Sequence, residues 1–176
     1  LNTKLLSEMS NLNVDWRKHV VFKTNLHPGM NRFDCIREIK NRKEPVKLKK
    51  RNGKIIFRTK ELLVEINTRT GLVDKWKVKD KLASSKKTFE PLVIDDIADS
   101  WGMFEKSYSK VVGKFTLMNK EQGTEFSGVT KNQLDSVRVI EEGPVRTVIE
   151  SLLSYHNSFI VLRFMLPKQG TEIALE

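Results

Sequence analysis

The chain has 176 residues, 39% of them hydrophobic, and 32 Lys and Arg against 22 Asp and Glu give a net charge of +10. That is enough apolar material for a core without disulfides or a structural metal, and the single cysteine, Cys35, excludes an internal disulfide and fits a reducing compartment. No apolar run approaches the roughly 20 residues of a membrane-spanning helix, and no basic-then-apolar signal pattern opens the chain, so a soluble cytoplasmic protein is expected.

In LNTKLLSEMSNL, Leu1, Leu5, Met9 and Leu12 recur at near-helical spacing, which predicts a short helical segment in a tail or linker over 1–17. Residues 18–42 read as a short β connector: HVVF and FDCIREI are strand-like, and Pro28-Gly29 breaks the loop between them. Cys35, in the second of these strands, reads as a buried thiol. A β-sandwich domain is expected over 43–176. Its first elements, VKLKK and KIIFRTK, flank Asn52-Gly53, a strong two-residue hairpin signal, with Pro45 marking an edge.

ELLVEINTRTGLVDKWKVKD, from Glu61 to Asp80, is the clearest hairpin in the chain. Leu62, Val64 and Ile66 alternate with Leu63, Glu65 and Asn67; after the turn, Leu72, Trp76 and Val78 alternate with Val73, Lys75, Lys77 and Lys79. Asn67 can bond its own backbone and Gly71 is free to take positive φ, as a tight reversal requires. A lone hairpin is marginal in water, so its apolar face must rest on further strands.

DKLASSKKTFEP then reads as a polar, mobile loop, Val111 to Met118 as a strand, and EQGTEFSG as a polar break. From Ser136 a three-strand meander runs through SVRVIEE, VRTVIESLLSY and SFIVLRFML, with turns at Gly143-Pro144 and His156-Asn157. Val148, Ile149, Leu152 and Leu153 make the middle strand apolar on both faces, and Phe159 to Leu162 do the same for the last, so both belong inside a sheet. Roughly nine or ten strands with almost no helix make an all-β antiparallel sandwich.

Chemistry is suggested at one place, LVIDDIADSWGMF, where Asp95, Asp96 and Asp99 crowd beside Trp101. Carboxylates beside an aromatic are what a glycosidase uses, the ring serving as a sugar platform, which makes Asp99 and Trp101 the candidate carbohydrate-facing residues. The competing reading, which the residues alone favour, has Asp95 and Asp96 bonding turn amides, Asp99 capping the bend and Trp101 packed in the core. His19, His27 and His156 lie in separate segments without a zinc spacing, and no GxSxG, Walker or GxGxxG motif is present. No catalytic or metal-ligating residue is expected. The basic residues read as dispersed over several strands with few aromatics between them, which favours a solvated surface, or one facing an acidic partner, over a nucleic-acid site.

Three segments, ELLVEINTRTGLVDKWKVKDK, IADSWGM and VRVIEEGPVRTVIESLLSYHNSFIVLRFML, in that order, make the chain resemble the β-sandwich region of the glycoside hydrolase family 38 α-mannosidases. HVVFKTNL looks like the strand by which such enzymes leave their helical region, so the resemblance covers about residues 18–176. It implies a sandwich of the galactose-mutarotase-like supersandwich type, incomplete at its C-terminal end. It also implies a parent enzyme of mannose metabolism that hydrolyses α-mannosides with retention, using a zinc ion and an aspartate nucleophile. Both would belong to an N-terminal barrel, so no cofactor, zinc ligand or catalytic residue is carried onto this chain. The partners implied are that barrel, a glycan through the parent, and a second copy through the truncated sheet, with neither nucleic acid nor membrane expected. The alternative is an autonomous basic carbohydrate- or polyanion-binding module.

Overall fold

The computed structural model describes residues 21–34, 46–96, 101, 107–130 and 132–176. One antiparallel sheet takes β1 (Lys54–Arg58), β2 (Leu62–Asn67), β3 (Val73–Val78) and β4 (Lys81–Thr88) in chain order. Two short strands, β5 (Leu92–Ile94) and β6 (Val111–Lys114), pair with each other. They are followed by β7 (Thr116–Leu117) and a helix, α1 (Lys120–Phe126). The second large sheet centres on β9 (Arg146–Tyr155): β10 (Ser158–Pro167) runs along one side of it, and β8 (Val137–Glu142) and β7 share the other. A last short strand, β11 (Ala174–Leu175), borders β10.

The alternating pattern of β2 buries Leu62, Val64 and Ile66, and β1 adds Ile55 and Phe57 to the same face. Across from them in one cluster lie Ile149 and Leu153 of β9 and Leu162, Phe164 and Leu166 of β10. Two antiparallel sheets therefore close over a shared apolar layer, an all-β sandwich, with burial of each large side chain worth about 1.5–3 kcal/mol. β9 is buried on both faces from Thr147 to Leu153, as its two-sided apolar sequence requires.

The β2–β3 turn joins the sheets. Gly71 has φ +74°, and its carbonyl accepts a 2.8 Å hydrogen bond from Ser151 Oγ of β9. A Cβ there would stand 2.9 Å from Leu117 Cδ1, so both the backbone conformation and the close approach require glycine. A bulge between Glu65 and Ile66 shifts the register, so that Val73 faces inward opposite Ile66 and is fully buried. Simple alternation had set Val73 on the charged face.

Three further expectations are corrected. The polar stretch after Asp80 contains a strand, β4, paired with β3. It lacks alternation because nearly all its residues are exposed at the sheet edge, where its lysines and the bulge at Lys86 and Lys87 (φ 55° and 51°) discourage further pairing. The polar break holds α1, started by a capping box in which Asn119 Oδ1 accepts from the Gln122 N–H and the Gln122 side chain from the Asn119 N–H. Asn52-Gly53 forms its turn, yet the arm before it contributes only a bridge between Arg51 and Lys54. Residues 47–48 are held instead by Glu142, whose Oε2 accepts from the Lys47 and Leu48 N–H groups at 2.7 and 2.9 Å, while Leu48 packs on the core.

Residues 21–34 carry no strand; Phe22 and Phe33 meet edge to face with centroids 5.1 Å apart. The rest of the 18–42 connector, the helical segment of 1–17, and Cys35 lie outside the described residues. Among the described residues no helix is long and apolar enough to cross a membrane.

Candidate functional site

The β5–β6 hairpin holds the loop that carries the sequence-predicted residues. Its strands pair with Leu92 opposite Lys114 and Val93 opposite Gly113. A methyl group on Gly113 would run into the Tyr155 ring, and Phe115 packs on that ring at 5.9 Å, so the hairpin is pinned to the end of β9. At its mouth the Asp95 N–H donates to the Lys110 carbonyl at 2.8 Å, and Lys110 Nζ meets Asp95 Oδ2 at 2.7 Å. The hydrogen bond from Lys110, and then its charge, hold the Asp95 carboxyl below its ordinary range, and the same pair raises Lys110. Asp95 is thus an ionised closing pair for the loop and unsuited to act as a proton donor at neutral pH.

Trp101, in a turn of this loop, is 86% exposed, so the expectation that it packs in the core is overturned. Asp99 lies outside the described residues. Tyr108 in the same loop is also exposed. The loop therefore offers an exposed indole, a flat face of the kind that stacks on a sugar ring. Among the described residues no three His, Cys, Asp or Glu gather as a metal site. An open groove beside Met165 and Gly170 is lined by Glu172 and by Arg146, whose guanidinium is held by both Glu141 oxygens at 2.9 Å.

Two charged faces complete the inventory. On the outer face of the β7–β11 sheet, Arg138, Glu150 and Arg163 stand in one row across β8, β9 and β10. Glu150 is 5% exposed and binds Arg138 Nη2 at 2.7 Å and Arg163 Nε at 3.0 Å; Arg163 also reaches Glu176 at 3.1 Å. Burial opposes the charge on Arg163, and hydrogen bonds to Glu150 and Glu176 more than offset it.

The outer face of the β1–β4 sheet is different. Residues 46–88 contain fourteen Lys and Arg and four Asp and Glu, so the whole net charge of the chain lies in this sheet and its approach, and the remainder is balanced. The register sets Lys54, Arg58, Lys75 and Lys77 on that outer face around Glu65, and the other basic residues of the segment lie in its turns, its approach and β4.

No family model matches the chain, and neither a curated protein nor a solved structure matches it.

Proposed function

We propose that the chain is the non-catalytic β-sandwich part of a retaining, zinc-dependent α-mannosidase of glycoside hydrolase family 38, a cytoplasmic enzyme of glycan catabolism. In this reading the sandwich is of the supersandwich type and packs against the catalytic barrel of its parent. The zinc and the aspartate nucleophile belong to that barrel. Trp101 then contributes to a sugar-facing rim, together with Asp99. The supporting observation is that the segments carrying the resemblance belong to one packed unit: ELLVEINTRTGLVDKWKVKD forms β2 and β3, whose turn is bonded to β9 through Gly71 and Ser151, and β9 is the middle of the meander. Trp101 stands exposed on the adjoining hairpin loop.

The outer edge of β10 is paired by β11 only at Phe164 and Met165, with Arg163 bonded to Glu176, so among the described residues Ser158 to Leu162 keep an open edge. Further strands of the parent, or a second copy, are the occupants this reading assigns to it. Two tests bear on the proposal. The coding sequence upstream of Leu1 should encode a barrel segment with His-x-Asp and a later His; an unrelated domain there overturns the reading. The chain alone should not turn over an aryl α-mannoside with or without zinc, and turnover above a mock preparation would equally sink it.

A further inference from the structure

The β1–β4 face has a defined pattern as well as a charge. Register places Arg58, Leu63, Lys77 and Leu82 in one line straight across the four strands, and Ile56, Glu65, Lys75 and Ser85 in the next. Cations and aliphatic groups therefore alternate along the first line, and the second sets Ile56 beside the pair of Glu65 and Lys75. Lys54 and Lys75 share Glu65, whereas Arg58 and Lys77 have no ion-pair partner among the described residues. Ile56 is 42% and Leu82 58% exposed.

This pattern discriminates among polyanions. A protein interface needs a contiguous apolar centre poor in lysine, and here each aliphatic group is separated from the next along the line by a cation. Membrane insertion needs apolar groups at loop tips, and the tips of this sheet are Asn52-Gly53, Thr59 to Glu61, Thr68 to Thr70 and Lys79-Asp80, all without a large apolar side chain. Unstacked bases need exposed rings, but the aromatics of these four strands, Phe57 and Trp76, both belong to the core side. A duplex groove about 12 Å wide does not admit four strands spaced about 4.8 Å apart. A saccharide chain bearing sulfate or phosphate esters fits: it lies flat, its esters meet Lys and Arg, and the C–H faces of its rings cover Leu63, Leu82 and Ile56.

We infer that the outer face of the β1–β4 sheet binds a linear anionic glycan. The site is separate from the Trp101 loop and stands whether or not the mannosidase reading does. The probe is a size-defined, heparin-type sulfated oligosaccharide, titrated calorimetrically against the chain over a range of salt concentrations. Binding should weaken linearly in log salt. Arg58→Gln/Lys77→Gln should weaken it at least about tenfold and lower the salt slope by roughly one and a half to two. Lys114→Gln/Lys120→Gln, which removes the same charge elsewhere, should stay within about twofold. Circular dichroism and unfolding midpoints confirm that both variants keep the fold. Absence of binding at low salt, equal losses in the two variants, or displacement of the oligosaccharide by duplex DNA or phosphatidylserine vesicles at lower charge concentration would each overturn the inference.

Discussion

Each large sheet sets a glutamate of an inner strand between two cations on its outer face, and the two triads do opposite things. Glu65 of β2 faces Lys54 at 2.8 Å and Lys75 at 3.9 Å, and the lysine side chains are 41% and 39% exposed. Glu150 of β9 is bound by two guanidinium groups that are 20% and 13% exposed. Lysines in water are hydrated point charges, and such pairs contribute little to stability. Arginines under cover have lost that water, so each depends on the carboxylate between them. The difference arises from what lies above the sheet. Ser127, just beyond α1, accepts from Arg138 at 3.1 Å, and Glu176 closes over Arg163. Nothing described covers Lys54 and Lys75. A similar arrangement of an acid between basic residues is thus a cross-tie in one sheet and a wetted surface in the other.

The strongest way to break this comparison is Glu150→Ala. It strands two partly buried arginines and should cost about 3–5 kcal/mol of stability, read as a lowered denaturant midpoint at unchanged slope. A loss below 1 kcal/mol would mean that both triads are solvated. Next is Gly71→Ala, which strikes the contact between the sheets. A side chain at φ +74°, 2.9 Å from Leu117 Cδ1, should cost about 2–3 kcal/mol in the same assay. A neutral result would show that the sheets do not depend on this turn.

Much of the core was legible because period two is a direct record of burial. β2 buries the residues its alternation marks and β9 those of both its apolar faces, but β10 does so only from Leu162 on: Phe159, expected inside a sheet, is 59% exposed, because β11 borders β10 only at Phe164 and Met165. The glycine of the β2–β3 turn sits where its conformational freedom is used. Where one face of a strand does not enter the core, that record is missing: β4 is exposed on both faces, so its sequence resembled a loop. α1 is seven residues long, too short for a helical period, although the Asn119 and Gln122 pair that caps it was present to be read. Val73 was misplaced because a bulge changes the phase of a strand, and a bulge leaves no mark in apolar alternation. The candidate site was half legible: Trp101 was marked as a carbohydrate-facing candidate although the residues alone favoured a buried role, and the excess charge of residues 46–88 was visible in the sequence.

Glu142 sharpens the comparison from the side of the chain path, since it ties the approach to β1 onto the end of β8. Burial raises its pKa, but the Leu48 and Lys47 N–H groups, followed by the charges of Lys168 and Lys47, more than offset this and leave it below its ordinary 4.5. A carboxylate so lowered adds stability above the unfolded value, and that stability is lost as pH falls through the native one. Acid unfolding should therefore begin below about pH 4.5 at this tether. Glu142→Gln should cost about 1.5–2 kcal/mol at pH 7 and flatten the acid limb. An unchanged pH profile would discount the tether. Glu65→Ala, which removes the acid between two exposed lysines, should cost about 1 kcal/mol or less, and less again in 0.5 M salt.

The smallest effect belongs to the loop outside both sheets. Trp101 is 86% exposed, so Trp101→Ala removes little buried area and should change stability by less than about 0.5 kcal/mol. A buried indole would instead cost about 3–5 kcal/mol, so the unfolding midpoint alone separates a core role from a surface one. The same substitution in a full-length enzyme reads the other half. A ring that stacks on a sugar only to hold it raises KM and leaves kcat unchanged, because the lost contact is equal in the ground and transition states. Neutral stability with raised KM places Trp101 on the substrate rim. Neutral stability with unchanged kinetics removes it from the site.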